Sequence, residues 1–160
     1  MEISAVLYRL AVSLWVGGAA LFTFLLTPAL FKSYGRDMAG GIVGVLFPGY
    51  FRWGLACGTV ALVCLAFSRG RTAIAPAIII SVMLIVTALQ AFVIEPRAAE
   101  LKKSIPSFET TPADNPHRAA FRKLHGISAA CNLAVIGGGI ALVVLFSCAA
   151  RSSGFSDPNG

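Results

Sequence analysis

Along this chain the apolar positions fall into four runs free of Asp, Glu, Lys and Arg. They cover Leu10–Phe31 (about 22 residues), Trp53–Ser68 (about 16), Thr72–Ile94 (about 23) and Leu124–Ala150 (about 27). A bilayer core about 30 Å thick takes roughly 20 residues of helix, because each residue rises about 1.5 Å. The second run is short, but Arg52 can snorkel and let its helix begin near Pro48. Only helices and closed barrels satisfy every backbone group in lipid, and unbroken apolar runs of this length exclude the alternating pattern of barrel strands. The pattern therefore predicts an all-α integral membrane bundle of four transmembrane helices in one domain, 1–160, with spans near 8–31, 49–68, 72–94 and 124–150. The first span reads as a helix of the mature protein. Glu2 precedes the first cation, Arg9, the apolar run exceeds a leader's core of about 7–15 residues, and no small-x-small cleavage site follows.

Composition agrees and narrows the class. The chain is 57% hydrophobic and 12% charged, with a mean hydropathy of +0.80, against about 45–50% and about 25% in soluble domains. A soluble protein of this size lacks the polar surface to cover so much apolar area. Disorder and a disulfide-framed secreted module are excluded on the same grounds. The net charge of +6 is read as topology and attraction to a lipid surface rather than nucleic-acid binding. Nine cations (Lys32, Arg36, Arg52, Arg97, Lys102, Lys103, Arg118, Arg122, Lys123) flank the first and third loops, and four (Arg9, Arg69, Arg71, Arg151) the other side. That asymmetry predicts a multi-pass protein, of the cytoplasmic membrane if bacterial, with both termini outside.

Between the spans, 37–47 is apolar and glycine-rich and reads as an interfacial or re-entrant segment ending at Pro48. The stretch 95–123 reads as a polar, partly extended and mobile loop holding Pro96, Pro106, Pro112 and Pro116, and 151–160 as a flexible tail. Gly40 and Gly44, and Gly54 and Gly58, form G-x-x-x-G pairs, and Gly137–Gly139 interrupts the fourth span. Small residues of this kind let membrane helices approach closely.

Polar residues inside the runs carry the candidate chemistry. His125, Ser128 and Asn132 share one face of the fourth helix, and Thr87, Gln90 and Arg97 a stripe of the third, with Glu95 beside them. Such groups face a bundle interior or a wet cavity. Gln90, Glu95, Arg97, His125, Ser128 and Asn132 thus make a candidate polar site, read either as an entry site for a small solute or ion or as an interhelical clamp. Histidine is the side chain suited to proton transfer near neutral pH, so His125 leaves a proton role open. Cys57 and Cys131 lie at comparable depth and are the weak candidates for holding a soft metal; buried thiols otherwise behave as small hydrophobes. No cofactor is expected. Hydrolase, phosphate-loop, zinc-protease and intramembrane-aspartate motifs are absent from the sequence, so no catalytic residue is named and no enzyme is expected.

Three motifs stand at one end of the spans: Leu46-Phe47-Pro48-Gly49-Tyr50-Phe51, Glu95-Pro96-Arg97, and Phe121-Arg122-Lys123-Leu124-His125-Gly126-Ile127-Ser128-Ala129-Ala130-Cys131-Asn132-Leu133. In that order, with Trp15 in the first helix, they resemble the transmembrane protein 205-like family across nearly the whole chain. The resemblance implies a four-helix membrane protein and no settled activity; Phe47, Pro48, Tyr50, Phe51 and Pro96 are its motif residues here. The expected partners are the lipid bilayer, a second copy of the chain, and a small solute or ion; nucleic acid is not expected. The leading functional expectation is a small transporter or tolerance factor for a solute, metal or drug, with its polar site at the cytoplasmic ends of helices 2–4. The alternative is a structural or assembly protein whose polar cluster only locks the bundle.

Overall fold

A computed structural model describes residues 2–67 and 73–154. Among them every regular element is helical, and four helices are long and apolar enough to cross a membrane. They are α1 (Ile3–Ser33), α2 (Arg36–Ala66) and α3 (Ile74–Lys103), and α4 (Pro116–Gly154). Each packs on the next, and α4 returns to α1, so the bundle is a closed ring of neighbours. The outer faces carry large apolar side chains that water would not tolerate, with Val45 80% and Phe92 72% exposed. Lipid is the solvent that suits them.

The helices are longer than the sequence pattern predicts. The segment 37–47 is not a separate interfacial or re-entrant piece but the start of α2, which runs unbroken through Pro48. Its 31 residues extend about 46 Å, some 15 Å beyond a hydrocarbon core. The excess lies at the loop end, where Arg36, Asp37, Glu100, Lys102, Lys103, Arg118, Arg122 and Lys123 gather. The polar stretch 95–123 likewise resolves into the end of α3, the start of α4 and a short connection, 104–115. Of the predicted tail, 151–154 continue α4. Ser68, Arg69, Arg71, Thr72 and 155–160 lie outside the described residues, as does the side chain of Cys148.

The connection is folded onto the bundle. The Ser107 hydroxyl and the Phe108 N–H donate to the two carboxylate oxygens of Asp37 at 2.6 and 2.7 Å. Ile105 is buried and Phe108 packs on Phe121. Lys102 donates to the Gly40 carbonyl at 2.8 Å, fastening the end of α3 to the start of α2. The residues meant for solvent thus build a cap over the loop end of the bundle.

Two single turns depart from α-helical geometry: Leu21–Leu26 in α1 and Gln90–Ile94 in α3 are π-helical. A proline follows each, Pro28 and Pro96. Proline lacks an N–H, and its ring presses on the carbonyl four residues back, Phe24 and Phe92 respectively. A widened turn relieves that clash without breaking the helix.

Toward the termini the core is apolar and tightly gapped. Tyr8, Val12, Trp15, Ala61, Ile80, Met83, Val135 and Leu142 form it, together with Cys57 and Cys64. A Cβ on Gly54 would lie 2.7 Å from the Trp15 indole nitrogen, and one on Gly58 2.6 Å from Trp15 and from Leu84. Val16 fills the space beside Gly139. The predicted helix-packing role of these glycines therefore belongs to the bundle interior.

Candidate functional site

Below that core, one polar residue or more from every helix meets at a single level. The Asn132 side-chain amide donates to the Thr23 hydroxyl of α1, and its carbonyl oxygen accepts from the Tyr50 hydroxyl of α2. Ser128 donates to the Gln90 side-chain oxygen of α3 at 3.2 Å. Thr87 turns back to the Met83 carbonyl at 2.8 Å. Gln90 is 2% and Thr87 3% exposed. By helical rise Thr23, Tyr50, Gln90, Ser128 and Asn132 stand about 15–24 Å from the loop ends of their helices. That is just inside the hydrocarbon on the loop side. Arg52, exposed at the same level, is long enough to snorkel back to the headgroups.

The two π turns help to place this belt. Thr23 lies within the first and Gln90 opens the second. Each turn shifts the following helical face relative to a regular helix, and π turns recur at functional positions. At the level of the belt Phe22 stacks on Tyr50 at 4.6 Å, and Phe47, Tyr50 and Phe51 close the group at 5.1–6.4 Å. The motif aromatics thus pack alongside the belt. Pro48 faces outward.

Of the six residues named from sequence, Gln90, Ser128 and Asn132 come together; Glu95, Arg97 and His125 do not join them. Glu95 is half-buried, within the field of Lys102. Arg97 and His125 are exposed, and the His125 ring lies parallel to Phe121 at 6.1 Å. Among the described residues the one ion pair is Lys103–Glu100, at 2.8 Å. The sequence places Glu95 at the end of the third span beside Arg97 and level with His125, as the natural acceptor for either, but it pairs with neither. On the helical turn that begins there Glu95 and Arg97, two residues apart, leave on opposite faces. Thr23 and Tyr50 are the partners that sequence reasoning passed over. A lone threonine amid Phe22, Phe24 and Leu25 was the available signal.

Cys57 belongs to the apolar core beside Trp15 and Ala61, and Cys131 is half-buried on α4. Among the described residues no group of three or more His, Cys, Asp or Glu side chains could hold a metal ion. Farther toward the loops, an open groove of about 620 Å³ runs between α3 and α4, bounded by Pro96, Arg97, Glu100 and Leu101 on one side and Ala120, Lys123, Leu124 and Ile127 on the other.

Residues 10–107 match the family described as "Domain of unknown function (DUF4149)". A protein of Aquifex aeolicus (strain VF5), described as an uncharacterized protein, is 30% identical over 124 residues, covering 78% of this chain and 82% of the relative. No solved structure matches the chain.

Proposed function

The chain belongs to the Domain of unknown function (DUF4149) family, and from that premise we propose that it is a structural or assembly element of its membrane, a four-helix bundle locked by its polar belt. The observation that carries this is Asn132, which accepts from Tyr50 and donates to Thr23, so that one side chain ties three helices together. Ser128 and Gln90 tie in the fourth. Asn132 spends both its amide and its carbonyl oxygen on other helices, which is what a lock requires. In lipid, where apolar contact alone gives helices little reason to associate, such bonds contribute about 0.6 kcal/mol each on average. No catalytic chemistry is assigned to these residues.

A second reading is favoured by one specific feature, the coincidence of both π turns with the belt. A widened turn is a place where a helix can change register, and a belt that opens would pass a small polar solute or ion. The transporter or tolerance-factor reading, and the finer likeness to the transmembrane protein 205-like family, rest on that footing. The orientation is part of the same proposal: 34–35 and 104–115 face the cytoplasm, and both termini face outside. A cysteine placed at Ser107 then escapes an impermeant external reagent in intact cells.

The discriminating experiment replaces Asn132 and Ser128 by Ala, together. The locking role requires a bundle that melts earlier in detergent while cells keep their tolerance to solutes, metals and drugs. A bundle of unchanged stability with lost tolerance or altered flux overturns the locking role and establishes the pathway.

A further inference from the structure

The groove between α3 and α4 has a chemistry of its own. Its walls are almost wholly apolar, from Pro96, Leu101, Ala120, Leu124 and Ile127, while Arg97 and Lys123 stand at its rim from opposite helices. Glu100 also borders it, but its carboxylate is engaged by Lys103 at 2.8 Å. Arg97 and Lys123 are thus left as the cations without an ion-pair partner that border the groove. By helical rise Arg97 and Lys123 lie about 9–10 Å from the loop ends of their helices, and Ile127 about 16 Å. The two cations therefore sit at headgroup level, with Leu101 and Ala120 nearer the loops and Leu124 and Ile127 rising from them toward the hydrocarbon.

We propose that this groove is a binding site for an anionic phospholipid, its phosphate held between Arg97 and Lys123 and one acyl chain lying along Leu124 and Ile127. Charge complementarity and depth select that occupant. A neutral or basic peptide helix would gain nothing from two cations at this level, and a zwitterionic lipid would bring its own cation against them. Basic sites between membrane helices on the cytoplasmic side suit anionic headgroups for the same reason. The proposal does not depend on whether the belt locks the bundle or opens, since Arg97 and Lys123 take no part in it.

The test uses the full chain in nanodiscs of phosphatidylcholine titrated with phosphatidylglycerol, with bound lipid counted by native mass spectrometry. One to two phosphatidylglycerol molecules should survive mild activation, and phosphatidylcholine should not. Arg97→Gln or Lys123→Gln should each weaken that retention about fivefold, taking roughly 1 kcal/mol per cation near a membrane surface. Lys32→Gln, an exposed cation at the same membrane face, should leave it unchanged. Leu124→Gln should weaken it while sparing both cations. Equal retention of the two lipids, or equal loss in Lys32→Gln, reduces the effect to general surface charge and overturns the site. So does full retention in Arg97→Gln/Lys123→Gln, a doubly substituted exposed rim that leaves the bundle's contacts intact.

Discussion

Toward the termini, α1 and α2 meet through Trp15 seated over Gly54 and Gly58; toward the loops, the same two helices meet through Phe22, Tyr50 and the amide of Asn132. The first contact is one of shape. Missing Cβ atoms bring backbones together, and one large indole fills the space between. The second is one of hydrogen bonding, with Asn132 answered by both α1 and α2. A soluble bundle could hold both ends by burying apolar area from water. In lipid that gain is largely absent between helices, so close packing and interhelical hydrogen bonds must do it, and this chain uses one at each level.

The comparison is broken most severely at the indole. Trp15→Ala empties a slot bounded by glycines that cannot refill it, and a loss of about 3–5 kcal/mol is expected for a large buried aromatic. Chemical denaturation in mixed micelles should register it. Gly58→Leu attacks the same contact from the other side, overpacking against Trp15 and Leu84 at an expected cost of about 1–3 kcal/mol. Combining the two should recover part of the loss, because the new leucine occupies space that the indole vacates. Additive losses would show that the two positions do not share one slot.

At the belt the expected effect is smaller. Asn132→Leu removes the partner of both Thr23 and Tyr50 and should cost roughly 1–2 kcal/mol, the upper range for interhelical polar contacts in membranes. The same measurement on Ser128→Ala should give less, since it breaks one bond of 3.2 Å. A belt substitution that outweighs Trp15→Ala would reverse the ranking of the two levels.

Much of this was legible in the residues. Four charge-free runs gave four spans, since lipid admits few alternatives, and the G-x-x-x-G pair at Gly54 and Gly58 marked a packing face correctly. Three of six site residues, Gln90, Ser128 and Asn132, assembled because their i, i+3 and i+4 spacings fix a shared helical face. What failed was reasoning from charge to solvent. Arg36, Asp37 and Glu95–Lys103 lie on helix because a helix may leave the bilayer and continue in water, and hydropathy marks only where lipid ends. Arg97 and His125 were placed by regular helical spacing, and Glu95 and their mutual pairing by height alone. Height does not fix azimuth, and the π turn at Gln90–Ile94 rotates whatever follows it by an amount no spacing rule supplies. Pro28 and Pro96 were visible throughout as the cause.

The mildest prediction concerns the cap, where neither shape nor belt is involved. Asp37 stands beyond the hydrocarbon at the start of α2. The Ser107 hydroxyl donating to it, joined by the Phe108 N–H and by the nearby Lys102 charge, holds its carboxyl below the ordinary carboxylate value despite slight desolvation. A lowered value in the folded protein means that the bonds favour the ionised form. Their contribution is therefore complete above the ordinary value of about 3.9 and is lost as pH falls through the lowered one. Phe108 reports this directly, because its amide proton is the one donated. Its hydrogen-exchange protection, corrected for the intrinsic pH dependence, should hold through neutral pH and decline below about pH 4. Amides of the bundle core should keep their protection over the same range. Asp37→Asn should lower Phe108 protection at neutral pH and flatten its acid dependence, since an amide oxygen accepts more weakly and does not titrate in this range. Protection that falls together at Phe108 and in the core would mean that the connection opens only when the whole bundle does. Protection at Phe108 alone lost to acid makes the cap a separately opening unit that depends on the Asp37 carboxylate.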